Sequence, residues 1–132
     1  MKDEKMNAFL MHKFSSDEFF MDLVNSKLEP KYRINDSSEL NTVLPDYDYL
    51  KHLSNILEIS DNYYSIGKIC KDTLYIIIFA ANDPDFDDAS LVLYKAAYYS
   101  KWRFDPQNKG KKIEVATLIV RSGYQVPKES VN

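Results

Sequence analysis

Scarcity narrows this chain before any motif is read. One cysteine, Cys70, among 132 residues excludes an internal disulfide and any multi-cysteine zinc site. The two histidines, His12 and His52, lie in separate segments and offer no paired imidazole ligands. With three glycines the chain holds no low-complexity tract and no phosphate-cradling P-loop, and the G-x-S-x-G and H-E-x-x-H signatures are absent as well. The longest apolar run, residues 74–81, is far too short to span a bilayer, so direct membrane insertion is not expected. No sustained basic run appears and the formal net charge is −3, which argues against nucleic acid as a partner. Acids fall early in the first fourteen residues, which lack the apolar stretch of a secretion signal. The chain reads as soluble and without an address.

What is present suits one domain with an N-terminal extension. Hydrophobic residues make up 45% and charged residues 28%, enough for a core without metal or disulfide staples. Ser15 and Glu18 have capping-box spacing, and Phe19, Phe20, Leu23, Val24 and Leu28 then recur at helical spacing until Pro30. Residues 31–45 read as an irregular linker with room for one short strand. A second helix starts at Asp46 or Asp48, with Tyr49, Leu50, Leu53, Ile56 and Leu57 as its apolar stripe.

The period then changes. Residues 62–70 favour a strand, with Gly67 as a bulge or turn, and 73–81 form a nearly all-apolar strand. Asn82-Asp83-Pro84-Asp85 halts that strand and caps a third helix over 86–101, where the Asp85, Asp87 and Asp88 carboxylates oppose the positive N-terminal dipole. The same acids have the look of a calcium loop, but Asp88 and Tyr94 stand where that loop needs glycine and glutamate. Alternation over 112–121 predicts a final strand. The order α-α-β-β-α-β predicts an α+β fold, two layers with helices packed on a small antiparallel sheet.

The least ordinary stretch is KWRFDPQNKGKKIEV, residues 101–115, with the only tryptophan of the chain. Trp102 is expected to end the helix and cover the open edge of the core, and Phe104 to drop back into it. Truncating a ring so placed, Trp102→Ala, is expected to remove roughly 3–5 kcal/mol. Pro106 stops the helix and biases Asp105 towards extended backbone, and Gly110 relieves the loop before the strand begins. Lys109, Lys111 and Lys112 read as a solvated turn, with phosphate or lipid head groups as the functional alternative.

Phe86-Asp87-Asp88-Ala89, then Lys101-Trp102-Arg103-Phe104-Asp105-Pro106, then Gly110-Lys111-Lys112-Ile113-Glu114-Val115 resemble the C-terminal domain of TonB-type energy transducers. Members of that family close with a helix, a Trp-Arg-aromatic-x-Pro corner, a loop with glycine and an alternating last strand. The resemblance covers residues 62–122. It implies a three-stranded antiparallel sheet and divides the chain into a helical extension (1–60), the TonB-like module (61–125) and a frayed tail (126–132). It also implies a periplasmic, non-enzymatic module without cofactor or metal. Such a module binds an extended segment of another protein, in that family an outer-membrane receptor, by strand addition. The expected docking edge is 112–121, with Ile113, Val115, Thr117, Ile119 and Arg121 as partner-binding candidates and Trp102, Arg103, Phe104, Pro106 and Gly110 as its structural corner. A homodimer is left open. The alternative is a small acidic cytoplasmic protein that neutralises a partner, of the immunity or anti-defence type. Net acidity, ten tyrosines and the unmatched residues 1–60 favour it.

Overall fold

Residues 16–121 are described by a computed structural model. Helix α1 (Asp17–Lys27) starts after an extended Ser16 whose side chain makes no capping bond, and Ser15 lies outside the described residues. Its buried face is Phe20, Leu23 and Val24, the i, i+3, i+4 spacing of one helical stripe. Two single turns (Pro30–Tyr32 and Ser37–Glu39) lead into β1 (Asn41–Val43). Helix α2 (Tyr47–Leu57) is capped by Asp46, whose carboxylate accepts the Tyr49 N–H at 3.0 Å, and ends where Glu58 turns left-handed. Strands β2 (Tyr64–Cys70) and β3 (Thr73–Phe79) form a hairpin over Lys71 and Asp72. Helix α3 (Asp88–Arg103) follows, capped reciprocally by Asp87 and Ser90. A single turn (Pro106–Asn108) then delivers the chain to β4 (Glu114–Val120).

The strands lie in the order β1-β2-β3-β4. The α+β class stands, with helices packed on a small sheet, but among the described residues the sheet has four strands and is mixed. β1 pairs antiparallel with β2 and β2 with β3, whereas β4 runs parallel to β3, Thr73 facing Glu114 and Phe79 facing Val120. The expected antiparallel last strand is corrected by arithmetic. Sixteen helical residues span about 24 Å, and a seven-residue strand about 23 Å. α3 therefore returns the chain to the end of the sheet where β3 began, and β4 must point the same way.

The two-layer expectation is also corrected, because both faces of the sheet are covered. Phe20, Leu23 and Val24 of α1, with Ile34 and Leu40, pack on Ile66, Cys70, Tyr75, Ile77, Phe79, Ala116 and Val120. On the opposite face, Leu50 of α2 and Leu93, Tyr94, Ala97 and Tyr98 of α3 pack on Leu74, Ile76 and Ile78. β3 is apolar at both parities because it belongs to both cores. The segment expected as a helical extension therefore covers the sheet and lengthens it by β1.

Gly67 is neither bulge nor turn. It sits in register between Val43 and Ile76, and a Cβ there would lie 2.8 Å from Cδ1 of Tyr98 and closer still to Cε1. Its role is to admit the Tyr98 ring against the strand. One turn earlier on α3, the Tyr94 hydroxyl accepts the Tyr63 N–H (2.9 Å) and donates to the Tyr63 carbonyl (3.1 Å), satisfying buried backbone where β2 begins.

Candidate functional site

β4 lies at the end of the sheet and, among the described residues, pairs only with β3. At its start the Glu114 N–H donates to the Asp72 carbonyl (2.8 Å), and at its end the Val120 carbonyl accepts from Ala80 N–H (2.9 Å). A strand residue sends both backbone groups to the same side, and neighbours alternate. Residues 114, 116, 118 and 120 therefore serve β3, while Val115, Thr117 and Ile119 present theirs outward. Ile113 and Arg121 share that parity just beyond the strand ends.

The side chains divide differently. Ile113, Val115 and Ile119 pack into the core beneath α3, leaving mainly their backbone for an incoming strand. Arg121 is engaged, donating to the carbonyls of Asp83 (3.1 Å) and Phe86 (2.9 Å) with its guanidinium over the Phe86 ring. Of the strand's seven residues only Glu114 is charged, and no proline or glycine interrupts it. Natural edges are usually blunted by charge, bulges or shortness, and β4 has little of that protection. The opposite edge, β1, is three residues long and is followed closely by Pro45.

The tryptophan corner is a succession of tight turns. Phe104 N–H closes the helix on the Ser100 carbonyl, and the Asn108 side-chain amide donates to the Trp102 carbonyl at 2.9 Å. Asp105 is extended ahead of Pro106, and its carboxylate takes the Gln107 N–H at 3.0 Å. Gly110 has φ +80, the left-handed geometry that relieves the loop. Two expectations fail here. Phe104 is 82% exposed, because the chain turns away at Asp105 before its side chain can reach the core. Trp102 is half-buried and belongs to neither core, so it does not close one. Arg103 is exposed at the last position of the helix.

Trp102 instead lines a cleft of about 860 Å³ between the β2–β3 turn, the end of α3 and the approach to β4. Val43, Ile69 and Ile113 contribute apolar surface, and Lys71, Lys101, Lys111 and Lys112 contribute positive charge. Lys101, Lys111 and Lys112 all belong to the stretch singled out in the sequence, whereas Lys71 does not. Their shared signal is position: each lies at an element end that the parallel crossover brings to the same end of the sheet.

A second groove lies between α2 and α3, where Tyr49, Ala96, Tyr99 and Phe104 meet Asp46 and Arg103. The α2 stripe read from periodicity is only partly used. Leu50 is buried, but Ile56 is 61% and Leu57 53% exposed.

The remaining candidates are structural. Asp83 accepts the Tyr63 hydroxyl (2.7 Å) and Asp85 N–H (2.9 Å), which hold its carboxyl below the usual range, and Asp87 is the α3 cap. Among the described residues no group of three or more His, Cys, Asp or Glu is placed to hold a metal. Burial pushes the Cys70 thiol up, away from the reactive thiolate. Burial likewise pushes the Tyr98 hydroxyl, bonded to Ser65 at 2.8 Å, up to about 12. Lys68 is buried on the α1 face, its ammonium 2.5 Å from Asp17 and over the Phe20 ring. No helix among the described residues is long and apolar enough to cross a membrane. No family model matches the chain, and neither does any curated protein or any solved structure.

Proposed function

We propose that the protein is a non-enzymatic binding module that takes up an extended segment of another protein by strand addition along β4. One observation carries this reading. A seven-residue, unbulged and nearly uncharged strand at the sheet edge turns the backbone groups of Val115, Thr117 and Ile119 outward. Backbone pairing of that kind supplies affinity with little demand on partner sequence, and the flanking side chains supply selectivity. TonB C-terminal domains, which the Trp102 corner resembles, use their sheet edge in this way. On that analogy the partner is an outer-membrane receptor and the compartment the periplasm. The parallel β4 departs from the antiparallel layout the resemblance implies, so the proposal rests on the edge itself.

The test begins with a selection of extended peptides of about ten residues, long enough to cover the strand. Amide exchange then reads where the selected peptides bind. Slower exchange at Val115, Thr117 and Ile119 is expected on binding, and Thr117→Pro, which removes an outward N–H, should abolish it while leaving the melting curve close to wild type. Peptides that bind Thr117→Pro as tightly as wild type, or outward amides already protected in the free protein, would rule the edge out.

A second reading, the acidic partner-neutralising protein, is favoured by the groove between α2 and α3. Exposed Tyr49, Tyr99 and Phe104 gather there beside Asp46, the aromatic-rich composition of many interface hot spots. A partner bound there would be insensitive to Thr117→Pro and would be lost with Tyr99→Ala.

A further inference from the structure

The cleft at the tryptophan corner meets the β4 edge at Ile113 but lies outside the outward backbone groups of Val115, Thr117 and Ile119. We infer that it binds a nucleotide-sized anion, with a planar ring against Trp102 and phosphate groups among Lys101, Lys111 and Lys112. Volume is the first support. About 860 Å³ lies within the range of small-molecule sites and exceeds what a bare inorganic ion needs.

Charge is the second. Lys71, Lys101, Lys111 and Lys112 face Asp72 and Asp105 across the cleft, so four positive charges against two negative leave +2 locally, in a chain of net −3. Lys71 has a loose partner in Glu39 at 3.8 Å, but Lys101, Lys111 and Lys112 make no ion pair among the described residues. Asp105 is already tied to the Gln107 N–H. Lysine ammonium groups on flexible stems suit a phosphate chain, which they meet as point charges from several directions.

The wall is the third. Trp102 is braced by Tyr99, their ring centroids 5.9 Å apart and the planes 35° from parallel. Tyr99 lines the neighbouring groove and not the cleft, so it supports the indole without occupying the ligand space. Val43, Ile69 and Ile113 continue the apolar surface on which a ring can lie. The negative end of the α3 dipole points towards this region and opposes an anion. Lys101 in the last helical turn offsets it, and the Asn108 amide occupies the Trp102 carbonyl.

Because Trp102 is the only tryptophan, its fluorescence reports the cleft directly. The full chain is titrated with ATP, with inorganic triphosphate and with adenosine. Saturable change with ATP is expected, with triphosphate and adenosine each weaker by about tenfold or more, as two half-ligands should be. The double variant K111E/K112E should weaken ATP by about tenfold at an unchanged melting temperature. If that variant does not fold, Lys101→Gln replaces it and should weaken ATP several-fold. Failure of ATP to saturate, equal affinity for either half-ligand, or ATP binding unaffected by the folded lysine variant would each overturn the assignment.

Discussion

Residues 67 and 68 of β2 show how much the two sheet faces ask of neighbouring positions. Gly67 faces α3 and is small because Tyr98 fills the space its side chain would need. Lys68 faces α1, with 2% of its side chain exposed, and meets Asp17 from the start of that helix. Losing Asp17 weakens the pairing of a buried charge, whereas losing the lysine leaves a carboxylate that is 45% exposed and can be solvated. At Gly67 the chemistry is steric. Gly67→Ala is expected to destabilise the protein by roughly 1–3 kcal/mol through overpacking. The cost should shrink when Tyr98 is also cut to alanine, so in a urea-denaturation double-mutant cycle the double variant should lose clearly less than the sum of the single losses. Additive losses would mean that the ring is not what demands glycine.

Among the elements, α3 is the most firmly specified. Asp87 accepts the Ser90 N–H at 3.0 Å and the Ser90 hydroxyl at 3.1 Å, and these bonds hold its carboxyl below the usual range. The folded value is depressed, so the contribution is complete above the unfolded carboxylate range, near 4, and is lost as pH falls through the folded value. Asp83, lowered by the Tyr63 hydroxyl, acts with the same sign. The urea midpoint should therefore hold steady from pH 7 to about 5 and fall below about 4, and Asp87→Asn should flatten part of that fall. An unchanged slope in the variant would separate the cap from acid sensitivity. The acids make a helix start legible in sequence but place the cap at 82–85 and the helix from 86, whereas Asp87 is the cap and Asp88 the first helical residue. The α2 stripe was legible in the same way, but periodicity names an apolar face without saying how much a neighbour covers, and Ile56 and Leu57 remain outside. Phe104 was misplaced for a related reason: its direction depends on the turn at Asp105, which is set by contacts with residues further along the chain.

For the molecule as a whole, β3 is the hinge of the energetics, because its alternating side chains belong to two different cores. Ile76 and Ile77 are both about fully buried, one beneath α2 and α3, the other beneath α1. Ile76→Ala and Ile77→Ala should each cost roughly 2–5 kcal/mol. Both variants should still melt in one transition by circular dichroism and by tryptophan fluorescence, since neither core survives without the shared strand. Two separated transitions would show that the faces unfold independently. The apolar run that made β3 readable also announced cover on both faces, but the direction of β4 was readable only from length. Equal reach of α3 and the strand marks a parallel crossover, a signal that the resemblance at Trp102 outweighed. The cleft was legible only in part: Trp102, Lys111 and Lys112 stand in one conspicuous stretch, but Lys71 and Ile69 join them only through that crossover. The two unequal edges of the sheet carry one more consequence. A fibre grown by edge pairing needs two adhesive edges per subunit, whereas here a long strand lies at one end and three residues with a nearby proline at the other. Two copies meeting β4 to β4 would close a twofold eight-stranded sheet and present only the short edges outward. Among the described residues the fold would thus act as its own chain terminator, with pairing through this sheet stopping at two copies.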